Sequence, residues 1–420
     1  MKHYTYLVAG GGIAAARAIE GIREVDRKGS ILLVCRERHL PYDRPPLSKA
    51  ALSSAIGVKE IAVHTPWFYL GKRCRVRRGV SLVSVDLQGD RRRARLSDGG
   101  TISFDRGILA TGARPRRLSL ADSDLAGLQT LRTIDDAQQI RATLLAGGGK
   151  PKRVVIIGAG FIGLEAAASI ASLGTEVTLL ERAGSPWPAV APEVVASFLQ
   201  EYLVGLGVRL EFGAEVTGVR GDHHVEEVLL ASGARVPADL VLVAVGVVPN
   251  QEVAEEAGLS CGDGIIADET LRTSDPAIWV AGDVASVPDP YGSGRRRFEH
   301  YGTAEATGYL AGKNAAGADE AFTMLPYVWS DVGEHRVDIV GNERLREETV
   351  LRGKPETGRF FLLCLNEGRL VSFFSVNGSG PDRSALQLLI KERLDLSRLV
   401  QALEDESVSL QQLVQQALGG

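Results

Sequence analysis

The 420-residue sequence holds only four cysteines, Cys35, Cys74, Cys261 and Cys364, and no two of them stand at a CxxC or CxxxxC spacing. That scarcity argues against a disulfide framework, a zinc site and a cysteine-ligated iron–sulfur cluster. Histidines are few and scattered: His64 and His335 have no partner at metal-ligand spacing, and His223-His224 reads as a hairpin tip. No metal is expected.

An excess of one charge is also lacking. Lysine and arginine number 48 against 52 acidic residues, a net charge of −4, so nothing global points to nucleic acid or an anionic membrane surface. The runs Arg91-Arg92-Arg93 and Arg295-Arg296-Arg297 read as solvated turns. No apolar run approaches the roughly 18 residues of a membrane span; the longest, Ala238 to Val248, reads as a buried strand. The first strand begins within a few residues of Met1 and leaves no room for a secretory leader, so a cytoplasmic protein is expected. The length suits two or three domains.

What is present is a pair of glycine fingerprints, Gly10-Gly11-Gly12-Ile13-Ala14-Ala15 and Gly158-Ala159-Gly160-Phe161-Ile162-Gly163. Each follows an apolar strand, Tyr6 to Ala9 or Val154 to Ile157, and opens a small-residue helix, the context that a dinucleotide site requires. The first glycines permit a tight turn and close approach of backbone amides to a pyrophosphate. The third position, Ala15 or Gly163, lets the helix pack closely, and the helix N-terminus favours the anion. A chain that grips two dinucleotides moves electrons between them.

The first βαβ unit continues in a strand at Ser30 to Val34, the second in one from Glu176 to Leu180 that ends at Glu181. Glu181 lies about twenty residues past its fingerprint, where a carboxylate accepts both ribose hydroxyls and repels a 2′-phosphate, favouring NADH over NADPH. Turns are expected at Gln88-Gly89-Asp90 and Asp98-Gly99-Gly100, and a glycine run, Gly147-Gly148-Gly149, precedes the second unit. Two more apolar strands close near Gly246, and Ala277 to Ala281 is another, ended by Gly282-Asp283. After about Thr323 the pattern turns to alternating strands with a hairpin at Asn366-Glu367-Gly368, then to helical periodicity in Leu386, Leu389, Ile390 and Leu394.

Several segments carry a resemblance. Pro41 to Lys49 reads Pro-Tyr-Asp-Arg-Pro-Pro-Leu-Ser-Lys, Ala110 to Pro115 reads Ala-Thr-Gly-Ala-Arg-Pro, and Gly160 to Glu165 reads Gly-Phe-Ile-Gly-Leu-Glu. To these add Gly246 to Asn250, Leu271 to Pro276, Ala281 to Val284, Trp329-Ser330-Asp331 and the tail around Glu406-Ser407-Val408. Together they resemble the FAD-dependent, NADH-dependent ferredoxin reductases of the putidaredoxin reductase and Rieske dioxygenase type, from end to end. The resemblance implies an α/β, glutathione-reductase-like fold: two Rossmann-like dinucleotide-binding domains, for FAD (1–116 and 247–322) and NADH (117–246), and a C-terminal α+β domain (323–420).

It further implies that Lys49 meets Glu165 beside the flavin N5, where the ammonium bonds the hydride-accepting atom and the carboxylate orients it. Asp283, after Gly282, would bond the ribityl chain. His300-Tyr301 would begin a helix whose positive end faces the flavin pyrimidine. Arg44, Val83, Arg132, Ala110, Thr111 and Gly112 match flavin-contact positions, and Trp329 matches an aromatic near the acceptor surface. With no dithiol in the chain, electrons must leave from the flavin itself, to a small [2Fe-2S] ferredoxin, with the enzyme a monomer or homodimer.

Two departures stand out. Arg36 occupies the position aligned with the family's ribose-binding acid, with Glu37 a one-residue shift away. The stretch His300-Tyr301-Gly302-Thr303-Ala304, followed by Thr307-Gly308-Tyr309-Leu310-Ala311-Gly312-Lys313-Asn314, leans toward the apoptosis-inducing-factor-like branch. That leaves a quinone, oxygen or another small acceptor, or a redox-sensing flavoprotein, as alternative readings.

Overall fold

The computed structural model describes residues 1–88, 91–118, 125–146 and 152–419. Gly89-Asp90 of one expected turn and the Gly147–Gly149 run lie outside the described residues. By its internal contacts the chain divides into two units: Met1–Pro45, Ile56–Arg114 and Val247–Met324 in the first, Pro46–Ala55, Pro115–Gly246 and Leu325–Gly420 in the second. The ten residues from Pro46, which carry Lys49, thus group with the second unit and not with the flanking chain that the flavin-domain boundaries had enclosed.

In the first unit, β1 (Lys2–Ala9), α1 (Ile13–Val25) and β2 (Ile31–Cys35) form the predicted βαβ unit, with β1 and β2 parallel from Tyr6 opposite Ile31 to Ala9 opposite Val34. Every residue of β2 is buried, as a parallel strand covered on both faces must be. The sheet extends from β2 to Cys74–Arg78 and from β1 to Thr101–Leu109, which also pairs with Ile278–Val280. An antiparallel pair, Arg92–Leu96 and Leu82–Asp86, continues it beyond Thr101–Leu109, the first of these joined through the Asp98–Gly100 turn.

The helix Tyr301–Ala315 lies against α1 at backbone distance: a Cβ on Gly308 would meet the Ala14 carbonyl oxygen at 2.3 Å, and one on Gly312 that of Ala18 at 2.1 Å. Gly308 and Gly312, within the stretch that leans toward the apoptosis-inducing-factor-like branch, are the residues that permit this close packing.

The second unit repeats the plan. β3 (Arg153–Ile157), α2 (Phe161–Ala171) and β4 (Glu176–Glu181) sit in a five-stranded parallel sheet with Arg209–Phe212, Leu240–Val243 and Leu128–Thr130. The apolar run Ala238 to Val248 is not one strand: Leu240–Val243 ends before Gly246, whose φ of 97° breaks the extended backbone, and Val247–Pro249 begins a separate strand. His223-His224 lies between two antiparallel strands, Val216–Arg220 and Glu227–Leu230.

The C-terminal portion is a five-stranded antiparallel sheet that starts with the hairpin β5 (Tyr327–Val332) and β6 (His335–Gly341). Its Arg359–Asn366 and Arg369–Val376 strands join through Glu367-Gly368, at φ 46° and 72°, the doubly left-handed turn that suits the strand twist. Leu386, Leu389 and Ile390 are the buried stripe of the helix Gly380–Lys391; Leu394 lies past its end, after Arg393 at φ 50°.

Candidate active site

The first fingerprint turns from β1 into α1. Gly10 has φ 156°, and a Cβ there would meet the Ala110 carbonyl oxygen at 2.2 Å. Gly12 caps α1 with no side-chain hydrogen bond, and a Cβ on it would project into space with no atom within 4 Å. Ala14 and Ala15 are buried beneath. The second copy matches: Gly158 has φ 105°, Gly160 caps α2 without a side-chain bond and also faces open space, and a Cβ on Gly163 would strike the Gly158 oxygen at 1.9 Å. Phe161 is half-buried and Ile162 exposed at the mouth of α2. Two helix N-termini with free amides and open approaches fit two pyrophosphates, and hence the two dinucleotides.

Superposing the two βαβ units by register locates their ribose positions. Gly10 N donates to Val34 O at 3.0 Å, and Gly158 N donates to Leu180 O at 2.8 Å. The residue after each acceptor is therefore equivalent: Glu181 in the second unit and Cys35 in the first. Register thus makes Cys35, not Arg36, the counterpart of Glu181. Burial pushes the Cys35 thiol up to about 12, so it is a neutral group that supplies no charge.

Arg36 is exposed, whereas Glu37 is half-buried and accepts from Arg44 Nη2 at 2.6 Å and from the Tyr42 hydroxyl. Burial pulls the Arg44 guanidinium down, but Glu37 and Tyr42 outweigh it and hold it above its ordinary value. Glu37 is the anchored acid at this end of the sheet.

The other residues of the first unit gather around the strand ends. Ala110 is buried, and Thr111 and Gly112 clasp the returning chain: Thr111 Oγ1 donates to Asn250 O at 2.7 Å, Asn250 Nδ2 to Thr111 O at 2.9 Å and Asn250 N to Gly112 O at 2.9 Å. Gly282, at φ 75°, opens a short 3₁₀ turn that carries Asp283, and its amide donates to Thr307 Oγ1 at 3.0 Å. His300 caps the helix Tyr301–Ala315 by accepting from Gly302 N at 3.3 Å. The Tyr301 hydroxyl donates to Asp43 at 2.8 Å, and burial together with that carboxylate raises the phenol above its ordinary value. Val83 is half-buried on Leu82–Asp86.

In the second unit, both Glu181 oxygens accept backbone amides, Oε2 from Ala159 inside the fingerprint and Oε1 from Ala183, each at 2.8 Å. The turn thus orients the carboxylate, and each oxygen keeps a second lone pair for a ribose hydroxyl. Arg132 precedes the helix Ile134–Leu145, and its amide donates to Asp136 Oδ2 at 2.9 Å.

Sequence reasoning missed Trp187. It is 2 % exposed at φ 47°, its amide donates to Ala159 O at 2.9 Å, and its ring lies 4.6 Å from that of Phe161. A bulky residue in the left-handed region is strained. Nothing in the sequence distinguished it from a core tryptophan.

Lys49 and Glu165 are brought together. Lys49 Nζ lies 3.2 Å from Glu165 Oε1 and 3.2 Å from Asp331 Oδ2. Glu165, on α2, is 5 % exposed. Its Oε1 also accepts from Ser330 Oγ at 2.7 Å and Asp331 N at 3.3 Å, and its Oε2 accepts from Ser48 Oγ. Ser48, Ser330 and Asp331 were quoted within motifs but given no role; the signal was their place beside Lys49 and Trp329. Trp329 is half-buried under the Arg336 guanidinium, 5.4 Å from its ring centroid, and Arg336 is held by Asp338 at 3.0 Å.

Comparison with known proteins agrees with this architecture. Residues 4–308 match the pyridine nucleotide-disulphide oxidoreductase family and 327–414 the reductase C-terminal family. The chain is 34 % identical, over 98 % of both sequences, to the ferredoxin reductase component of the chlorobenzene dioxygenase of Cupriavidus sp. (strain PS12). Among solved structures, the ferredoxin reductase of the CYP199A2 system of Rhodopseudomonas palustris is 32 % identical with a TM-score of 0.91, over 98 % of this chain and 99 % of that one. Putidaredoxin reductase in its covalent complex with putidaredoxin is 30 % identical with a TM-score of 0.93 over 100 % of both chains. The chain belongs to the pyridine nucleotide-disulphide oxidoreductase family, in the form that ends in a reductase C-terminal domain.

Proposed function

We propose that this protein is an NADH:ferredoxin oxidoreductase that passes electrons from NADH through FAD to a small [2Fe-2S] ferredoxin serving an oxygenase or P450. The observation that carries the reading is the match over the full length of both chains to a reductase solved in covalent complex with putidaredoxin. Flavin supplies the means to accept a hydride and release electrons singly.

The chain's own residues hold and orient the cofactors. The Gly10–Ala15 turn receives the FAD pyrophosphate, Glu37 rather than Arg36 receives its adenosine ribose, and Asp283 the ribityl chain. The Gly158–Gly163 turn and Glu181 receive NADH. Lys49 bonds the flavin N5, with Glu165 orienting the ammonium. We retain the three-domain division, 1–116 with 247–322 for FAD, 117–246 for NADH and 323–420, as the functional one. No helix among the described residues is long and apolar enough to cross a membrane, and we assign the protein to the cytoplasm, where its four unpaired thiols stay reduced.

The test is cytochrome c reduction by NADH with a panel of small acidic ferredoxins, set against ferricyanide and a quinone in the same preparation. One ferredoxin is expected to raise turnover far above the carrier-free rate. A quinone that does so while every ferredoxin fails would replace the reading with the small-acceptor one.

A further inference from the structure

Lys49 is held by two carboxylates at equal distance, 3.2 Å each, yet the two are differently supplied. Glu165 is nearly saturated without the lysine, since Ser48, Ser330 and the Asp331 amide already donate to its oxygens. Asp331 Oδ2 has the Lys49 ammonium as its ion-pair partner, and its side chain is 35 % exposed at the rim of the cluster. Asp331 lies on β5 directly opposite Arg336 of β6, so the backbone that carries it is fixed by the hairpin register. An ammonium has three N–H donors. The two carboxylates, at 3.2 Å each, flank the ammonium and fix where it sits.

We infer that Asp331 is a positioning residue for Lys49: by pairing with the ammonium opposite Glu165 it holds that group toward the hydride-accepting atom, and its charge sets the potential at which that atom is reduced. The inference rests on the proposed placement of Lys49 beside the flavin. Glu165, Lys49 and Asp331 together carry one net negative charge. Removing Asp331's charge leaves the cluster neutral, which favours the anionic reduced ring, while the loss of aim slows hydride arrival. Driving force and rate therefore move in opposite directions. A purely electrostatic role would move them together, and a purely structural one would move neither in this pattern.

The experiment uses the FAD-loaded protein, with the flavin midpoint potential measured by equilibration with reference dyes and flavin reduction by NADH measured in stopped flow. Asp331→Asn is expected to favour the reduced flavin about tenfold, roughly +30 mV for a two-electron couple, and to slow reduction at least about fivefold. Asp331→Glu is expected to restore the potential. Lys49→Met is expected to lower the potential, and is the control on the placement itself. If Lys49→Met leaves the potential where it was, the placement of Lys49 fails and the inference with it. If Lys49→Met lowers it but Asp331→Asn fails to raise it, or raises it without slowing reduction, the placement stands and the role of Asp331 is overturned.

Discussion

Truncating Glu165 should cost the fold more than it costs the charge balance, and the geometry says by how much. Glu165→Ala removes the acceptor of two hydroxyls, Ser48 Oγ and Ser330 Oγ, on residues 1 % and 0 % exposed. Each donor left unpaired in a dry site costs about 1–3 kcal/mol, so the pair costs roughly 2–6 kcal/mol. Lys49 adds little to this sum, because Asp331 still forms an ion pair with it at 3.2 Å. For a unit of this size each kcal/mol lowers Tm by about 2–4 °C. The expected fall runs from about 4 °C to more than 20 °C.

Glu165→Gln removes only the charge. Its amide carbonyl accepts one serine, and the other hydroxyl turns to accept from the amide NH₂. Stability should stay within about 1 kcal/mol of the parent, while reduction of the bound flavin by NADH slows about tenfold. The assays are calorimetry and stopped-flow absorbance on the same preparations. If Glu165→Ala melts with the parent, Ser48 and Ser330 find other acceptors and the cluster is not the closed network described. If Glu165→Gln reduces at the parental rate, the charge of Glu165 is idle in catalysis.

Three further outcomes follow from the same reasoning. Glu181→Ala should erase the preference for NADH, a charge-assisted ribose bond being worth about 1.5–3 kcal/mol or roughly ten- to a hundredfold; equal kcat/KM for NADH and NADPH in the parent would remove Glu181 from its role. Because Glu37 is anchored by Arg44 and Tyr42 while Arg36 is exposed, Glu37→Gln should weaken FAD retention in a fluorescence-release titration and Arg36→Glu should not tighten it; tighter retention in the Arg36 variant would show that the register argument misplaces the ribose. Asp338 is fully buried and accepts from Arg336 at 3.0 Å and Tyr327 at 2.7 Å, so Asp338→Ala should destabilise by about 3–5 kcal/mol, read by urea denaturation, whereas an unchanged midpoint would mean that water replaces the carboxylate.

How far the sequence could be read depended on how local each determinant was. The fingerprints were legible because a strand, a turn that needs positive φ at Gly10 and Gly158, and a helix without a side-chain cap are all written within about fifteen residues. The hairpin at Glu367-Gly368 was legible for the same reason. Pairing Lys49 with Glu165 was out of reach of any local rule, because 116 positions separate them and only the family resemblance joined them. What that resemblance did not carry was the third partner. Asp331 stands in a quoted motif, but its use of the lysine follows from the β5–β6 register, a long-range property.

The position of Arg36 turns on the same kind of long-range property. Alignment with the family put Arg36 opposite the ribose-binding acid, whereas the strand register, with Gly10 N bonded to Val34 O, makes Cys35 the counterpart of Glu181. Glu37, the acid proposed for the ribose, is held in place by Arg44 and Tyr42. Arg44 and Tyr42, which bind Glu37, come from the Pro-Tyr-Asp-Arg-Pro-Pro segment, whose next residues carry Ser48 and Lys49. One irregular segment thus anchors Glu37 through Tyr42 and Arg44 and carries the Lys49 that pairs with Glu165. On the proposed roles of Glu37 and Lys49, a change in that segment should disturb both cofactor retention and hydride transfer.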